Sequence, residues 1–436
     1  MRFNKVVKAI AIALPFQALS LNLLKANDDF KDKQYEQAFV EYQQGAKVGN
    51  AHAYYQLGVM YSKGLGVEAD LTNSLLYFSL AAGQNYAKAD QILDSMLAKL
   101  DTKQKTQILA LLEDFKNEQN QYIQQFVPEI IEENLAHKVT FDGKPALEKE
   151  FFIEISDADF DLVYFEDYPQ LINKPSFLIV ENDVGKDGSI RNINKIQKSG
   201  LTHKYIEEYK LFPLAKPMFR GQPVEFMTRT FMGLATQGKF GLHGEKPRIY
   251  GTIRKIVRKA EQSQSLHDQH QYAMAMLNFP WLEEEPGQAE KLLKDLSEQG
   301  HPAAMYEYGF KLYTEQREIP KAVKWITEAS KYGLVRAEYR LGKLLTSSPW
   351  VKTDEQKALF WFESAMKKNH KAASLYAAKI KLTSQDPNIK DVQGAIDYLA
   401  VAEKSQHLNP EYFHILALSH KYRPDRNFKH AIENLE

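Results

Sequence analysis

The sequence predicts an α+β multidomain chain, in which helical-hairpin repeats stack as an α-solenoid at both ends and flank a small antiparallel β-sheet domain. Three observations carry this. Ala289, Ala322, Ala358, Ala395 and Ala431 recur at spacings of 33, 36, 37 and 36 residues, each at the opening of an amphipathic helical run, and a register kept over that distance marks a stacked repeat array. A self-similar Ala-rich stretch of the same kind follows the N-terminus. Between the two, from about residue 138 to 240, the pattern changes to period-two alternation of Val, Ile, Phe and Thr, the signature of strands. At 436 residues the chain exceeds one ordinary core and divides into two or three domains.

Residues 1–26 read as a signal peptide. Arg2, Lys5 and Lys8 precede the short apolar run AIAIALPF, and the small residues Ala18 and Ser20 stand at −3 and −1 of one cleavage point, while Ala26 ends a second. Pro15, Gln17, Ser20 and Asn22 interrupt a stretch that would need about 20 apolar residues to span a bilayer, which weighs against the rival reading, retention as an anchor. The expectation is secretion to the periplasm, with no integral span after cleavage.

Residues 27–116 form the first array. Ala38 and Ser74 lie 36 apart and Gly49 and Gly83 lie 34 apart; Ala53, Tyr54, Leu57, Gly58 and Tyr61 share one helical face, as do Leu75, Phe78 and Ala82. In the connecting KGLGVEAD, Gly64 and Gly66 end one helix and Asp70 caps the next. Residues 117–137 predict a helical connector broken at Pro128. Residues 138–245 predict the α+β domain: a hairpin turning at Asp142-Gly143, a second turning at GKDG between PSFLIVENDV and SIRNINKIQ, a short helix in HKYIEEYKLF, and GQPVEFMTRTFMG as a final strand. Residues 246–436 form the second, degenerate array, where Ala304, Ala337 and Ala373 recur at 33 and 36, in step with Gly300, Gly333 and Asn369.

The segments LGVMYSKGLGVEAD and YFSLAAGQNYAKA resemble the Sel-one-like repeats, relatives of the tetratricopeptide repeats, which implies an extended protein-binding surface. From Tyr168 to Phe240 the chain resembles the C-terminal domain of TonB-type energy transducers, through YPQLINKPSFLIVENDVGKDGSIRNINKIQKSG and LAKPMFRGQPVEFM. It departs from that pattern in a short intervening helix and in LFPLAKP, where the family has Arg-Phe-x-Pro. The resemblance implies capture of an extended peptide by strand addition, along an edge that includes Gly221, Val224, Phe226, Thr228 and Thr230.

Composition narrows the chemistry. Lys+Arg and Asp+Glu both count 56, a balance that argues against a general nucleic-acid or anionic-membrane binder. The absence of cysteine excludes disulfides, thiolate metal sites and a cysteine nucleophile. Asp183, Asp187, Gly188 and Ile190 mimic a calcium loop, but Gly185 and Asn194 stand where that loop needs acids, so Lys186, Asp187, Gly188 and Ser189 read as a structural turn. Asp157, Asp159 and Asp161 read as the solvated face of a half-buried strand, and His267 and His270 lack a third ligand. No phosphate loop or Gly-x-Ser-x-Gly elbow is present. Tyr54, Tyr61, Phe78, Tyr308 and Phe360 fall at packing positions of the repeats. No catalytic, cofactor-binding or metal-binding residue is expected. The sequence thus predicts a non-enzymatic periplasmic adaptor whose partners are cell-envelope proteins. An outer-membrane protein or peptidoglycan is the specific partner under consideration; the alternatives are a cell-wall-binding or cell-wall-enzyme accessory protein and, second, a TonB-type energy-transduction component.

Overall fold

In the computed structural model the described residues are 21–142, 177–211, 214–233, 239, 243–244, 247–263, 265–406, 409–423 and 428–433. In chain order they form α1 (Leu23–Lys31), α2 (Tyr35–Lys47), α3 (Ala51–Lys63), α4 (Leu71–Gly83), α5 (Ala89–Leu97) and α6 (Thr102–Ile123). Then come β1 (Thr140–Asp142), β2 (Phe177–Val184), β3 (Ile190–Ser199), α7 (His203–Leu211), β4 (Lys216–Phe219), β5 (Gln222–Pro223) and β6 (Phe226–Gly233). The rest is helical: α8 (Pro247–Gln262), α9 (Leu266–Asn278), α10 (Gln288–Glu298), α11 (Pro302–Thr314), α12 (Ile319–Lys331), α13 (Val335–Ser347), α14 (Glu355–Lys367), α15 (Lys371–Thr383), α16 (Val392–Gln406), α17 (Pro410–Tyr422) and α18 (Phe428–Glu433). The chain divides into two compact units, one drawn from residues up to Glu129 with Val323–Thr346 and Thr353–Glu436, the other from Ile130–Ala322 with Ser347–Lys352.

The alanine register is a packing register. Ala289, Ala322, Ala358, Ala395 and Ala431 lie on successive alternate helices and are all buried, as are Ala304, Ala337 and Ala373 on the helices between them. The small side chains let neighbouring helices approach, and two glycines take this further. A Cβ on Gly58 would stand 2.9 Å from the Phe78 ring, and one on Gly342 would stand 2.7 Å from Phe362, the same contact at the same 20-residue separation in the two arrays. Helix ends follow the predicted chemistry: Asp70 caps α4 by accepting from the Asn73 amide at 3.0 Å, and Gly64 ends α3 in the left-handed region. Gly300, Gly333 and Asn369, which share a repeat position, all have positive φ. In the first array Gly49 has φ 82°, but its counterpart is Asn85 at φ 53°, with Gly83 inside α4. The Gly49-to-Gly83 match at 34 is therefore corrected to Gly49-to-Asn85, which restores the 36-residue period.

In the first unit the two arrays, far apart in sequence, meet. The Leu23 amide donates to Tyr332 O at 3.2 Å, and Lys368 Nζ donates to both Leu21 O and Gly333 O at 3.0 and 2.9 Å. A polar chain runs beside this joint. His52 Nε2 donates to Asn27 Oδ1 at 2.6 Å, which also accepts from the Tyr42 hydroxyl at 2.8 Å. His52 Nδ1 accepts from the Tyr86 hydroxyl at 2.8 Å, Tyr86 is hydrogen-bonded to Tyr332, and the imidazole stacks on the Tyr332 ring. Burial depresses the His52 pKa to about 4.

The predicted helical connector is only partly helical: α6 ends at Ile123, and the chain beyond it binds by main-chain groups. Phe126 O accepts from Trp361 Nε1 at 2.8 Å and Val127 O accepts from Lys357 Nζ at 2.9 Å within the first unit. Within the second, the Ile131 amide donates to Trp350 O at 2.9 Å, and Trp350 Nε1 donates to His137 O at 3.1 Å.

The second unit holds two small antiparallel sheets, ordered β3-β2-β6 and β1-β4-β5. The central strand β2 is buried at every residue, because helices cover both faces. Leu178 and Val180 pack with Tyr209 of α7. Phe177 and Ile179 pack with Ile253 and Val257 of α8, Met276 of α9 and Ala289 of α10. Each such large aliphatic or aromatic side chain contributes roughly 1.5–3 kcal/mol. Strand β1, the first half of the predicted Asp142-Gly143 hairpin, pairs with β4, and the other half of that hairpin lies outside the described residues. One expectation is corrected here. GQPVEFMTRTFMG is two strands, because Arg220 and Gly221, both at positive φ, turn β5 back on β4 before the chain enters β6.

Candidate functional site

The turn joining β2 to β3 is built by Lys186, Asp187, Gly188 and Ser189. The Gly185 amide donates to Ser189 O at 2.8 Å and the Gly188 amide to Gly185 O at 2.9 Å. Asp187 Oδ1 accepts from the Ser189 amide at 3.0 Å and from its hydroxyl at 2.6 Å. Partial burial opposes ionisation of Asp187, but the Ser189 hydrogen bonds and Arg191 outweigh it and hold the carboxyl below its ordinary range. Gly188 sits at φ 84°, and a Cβ there would stand 2.2 Å from Leu214 O. Gly188→Ala is accordingly expected to cost about 2 kcal/mol or more, from left-handed strain plus the clash, measured as faster amide exchange in β2 and β3; native-like exchange would show that the turn relaxes without cost.

The predicted strand-addition residues separate into two groups. Gly221 lies in the β4–β5 turn and Val224 just beyond β5, its amide donating to Pro217 O at 2.9 Å. Phe226, Thr228 and Thr230 alternate along β6. Among the described residues β6 pairs with β2 alone, so it ends the three-stranded sheet and no described strand pairs with its other edge. Phe226 is buried, stacked on Tyr313 at 5.8 Å and edge-on to Trp350 at 6.3 Å. The Thr230 hydroxyl meets Tyr209 Oη at 2.7 Å, and Tyr209 donates onward to Asn182 Oδ1 at 3.0 Å.

The strand is locked from its other face by Arg229, which sequence reasoning missed. Its guanidinium pairs with Glu181 of β2 and, at 2.6 Å, with Glu307 of α11, while Tyr306 donates to Glu181 Oε2 at 2.7 Å. The Arg229 side chain is 9% exposed, and the two carboxylates 1% and 0%. The guanidinium also lies 4.9 Å over the Phe310 ring. One signal was legible: Glu181, Asn182 and Asp183 interrupt the apolar strand FLIVENDV, and buried polar side chains require partners. Asn182 has Tyr209, and Asp183 accepts from Asn192 at 2.9 Å. Side chains on alternate positions of β6 and the edge that meets β2 are thus engaged, and among the described residues no strand pairs with the other edge.

Asp157, Asp159 and Asp161 lie outside the described residues, and among those described no three His, Asp or Glu side chains are grouped to hold a metal. His270 stacks on His301 at 4.7 Å. A hollow is lined by Gly287, Glu290, Lys291, Lys294 and Tyr308, with charges of both signs. Tyr54, Tyr61, Phe78, Tyr308 and Phe360 are all buried, which assigns these aromatics to packing. No described helix is long and apolar enough to cross a membrane.

The Sel1 repeat model matches residues 51–86, 302–333 and 335–370, which are the helix pairs α3–α4, α11–α12 and α13–α14. Among solved structures, the chain is similar to a Sel1 repeat protein from Oxalobacter formigenes, at 20% identity and a TM-score of 0.34 over 43% of this chain and 54% of that one. It is also similar to c5321, a protective antigen of uropathogenic Escherichia coli strains displaying an SLR fold, at 14% identity and a TM-score of 0.35 over 95% of this chain and 78% of that one. The chain thus spans about half the length of the first of these. No curated protein matches it.

Proposed function

We propose that this chain, which carries Sel1 repeats, is a non-enzymatic adaptor of the bacterial cell envelope that binds protein partners. Sel1 repeats mediate protein–protein interactions, and that general role is the firm part of the reading. The finer part is that β6 takes an extended peptide by strand addition, in the manner of the TonB-type domain that the central segment resembles. The observation that carries it is β6 itself: pinned through Phe226 and Arg229, and at the end of its sheet among the described residues. A pre-ordered edge lowers the entropy that an incoming strand must offset. Export through the N-terminal signal places the adaptor in the periplasm in this reading.

The test is site-specific photo-crosslinking in cells from positions 228 and 230 of β6, with positions on the repeat helices as comparison. A discrete protein adduct from the β6 positions is expected. Adducts from the repeat helices alone would remove strand capture and leave the repeats as the binding surface. Co-sedimentation with purified cell wall, without any protein adduct, would favour the cell-wall accessory alternative.

A further inference from the structure

We propose that the chain is processed at the Ser20–Leu21 bond, and that the α-ammonium group so created at Leu21 pairs with the carboxylate of Glu41. The inference rests on the export reading above and adds to it the position of the cut and the partner of the new terminus.

The packing separates the two cleavage points left open by the sequence. A cut after Ala26 would remove Asn22, whose Oδ1 caps α1 by accepting from the Lys25 amide at 3.1 Å, and Leu23, which is buried. Leu23 fits against the gap left by Gly45, where a Cβ would stand 2.8 Å from its methyl group. It would also put a chain terminus at Asn27, whose side chain holds both His52 and Tyr42. A cut after Ser20 leaves every one of these contacts. It also leaves Leu21 O bound to Lys368 and pressed on Gly333, where a Cβ would stand 2.0 Å away.

Charge accounting then points to Glu41. Around the start of α1, Lys25 pairs with Asp29 at 2.8 Å and Lys368 with Glu338 at 2.5 Å. Glu41 accepts a hydrogen bond from the Asn22 amide, and its Oε2 is buried with no hydrogen-bond partner among the described residues. Burial raises its pKa, and the nearby Lys25 and Lys368 only partly oppose this. The missing element is a cation, and the nitrogen of Leu21 is one residue before the amide that Glu41 already binds. An ammonium group just ahead of α1 faces the positive end of the helix dipole, so a carboxylate at that point offsets a repulsion. Hydrolysis supplies the group: water adds across the Ser20–Leu21 amide, Ser20 leaves as a carboxylate, and the Leu21 nitrogen leaves as an amine that takes a proton at neutral pH. The peptidase is of the class that reads small residues at −3 and −1, here Ala18 and Ser20.

Expression of the full chain in a bacterial host, followed by fractionation and intact-mass measurement, tests the cut. A periplasmic chain beginning at Leu21 is expected. A cytoplasmic chain beginning at Met1 would sink the export reading, and a periplasmic chain beginning at Asn27 or elsewhere would overturn this site alone. The ion pair is tested on a purified chain beginning at Leu21, by titrating the α-amino group with amine-selective labelling in the native protein and in Glu41→Gln. The free α-amino value is about 7.7–8.0, and a rise of about one unit is expected that Glu41→Gln removes. Equal α-amino titration in both chains would overturn the pairing, whatever the effect of the substitution on folding.

Discussion

Replacing Arg229 with alanine is expected to destabilise the sheet-bearing unit by about 3–5 kcal/mol, the cost of removing one partner from a buried ion pair. Arg229 is the shared cation of Glu181 and Glu307, and both carboxylates are almost wholly out of water. Without it, two buried carboxylates lose the cation they share, while the Tyr306 hydroxyl still donates to Glu181. Amide exchange resolves the effect locally, which matters because a chain of two units need not unfold in one step. Exchange of β2 should accelerate a hundred-fold or more, each 1.4 kcal/mol being a factor of ten, while α3 in the other unit serves as control. The combination R229M with E181Q and E307Q should recover much of the loss, since it leaves no uncompensated charge. If R229A and the triple variant exchange alike, the packing of Arg229 over Phe310, and not its charge, is what holds β6.

Acid is expected to loosen the joint between the two arrays through His52. Its pKa is lowered from 6.5 to about 4 by burial, so the folded chain resists a proton that the unfolded chain accepts. Stability is unaffected by this group above pH 6.5, and falls by about 1.4 kcal/mol per pH unit as pH drops from 6.5 towards 4. The total is on the order of 3 kcal/mol. The neutral ring donates through Nε2 to Asn27 and accepts at Nδ1 from Tyr86, so protonation removes the acceptor that Tyr86 uses. His301, lowered to about 4 by burial and then by His270 and His267, titrates in the same direction in the other unit. The measurement is urea unfolding at pH 7, 6, 5 and 4.5 for the native chain and for His52→Gln, monitored by exchange of α1 and α3. The difference between the two chains should shrink as pH falls. A difference that stays constant with pH would show that His52 does not set the acid sensitivity.

The repeats were legible because their physics is local. A position that must be small every 33 to 37 residues, and a turn that must enter positive φ, leave alanine, glycine and asparagine at fixed intervals. The same holds for the Lys186 to Ser189 turn, whose hydrogen bonds join residues two to four apart. Gly83 misled because it is a glycine near a helix end, while the positive φ belongs to Asn85; residue type is a weaker guide than register. The candidate edge was half legible. Phe226, Thr228 and Thr230 do alternate along β6, but Gly221 and Val224 belong to the β4–β5 hairpin, since the Arg220–Gly221 turn is invisible to a search for alternation.

What the sequence by itself determined was therefore the set of helical hairpins, their packing faces and the β2–β3 turn, all governed by neighbours within one repeat or one turn. What only the tertiary structure decided was which distant segments meet. Arg229 lies 48 residues from Glu181 and 78 from Glu307, and Lys368 lies 347 residues from the Leu21 carbonyl it binds. Such pairs have no periodicity, because a charge needs only one partner and the chain can bring that partner from anywhere. Their identity depends on how the loops route the elements, and burial then makes each pairing obligatory.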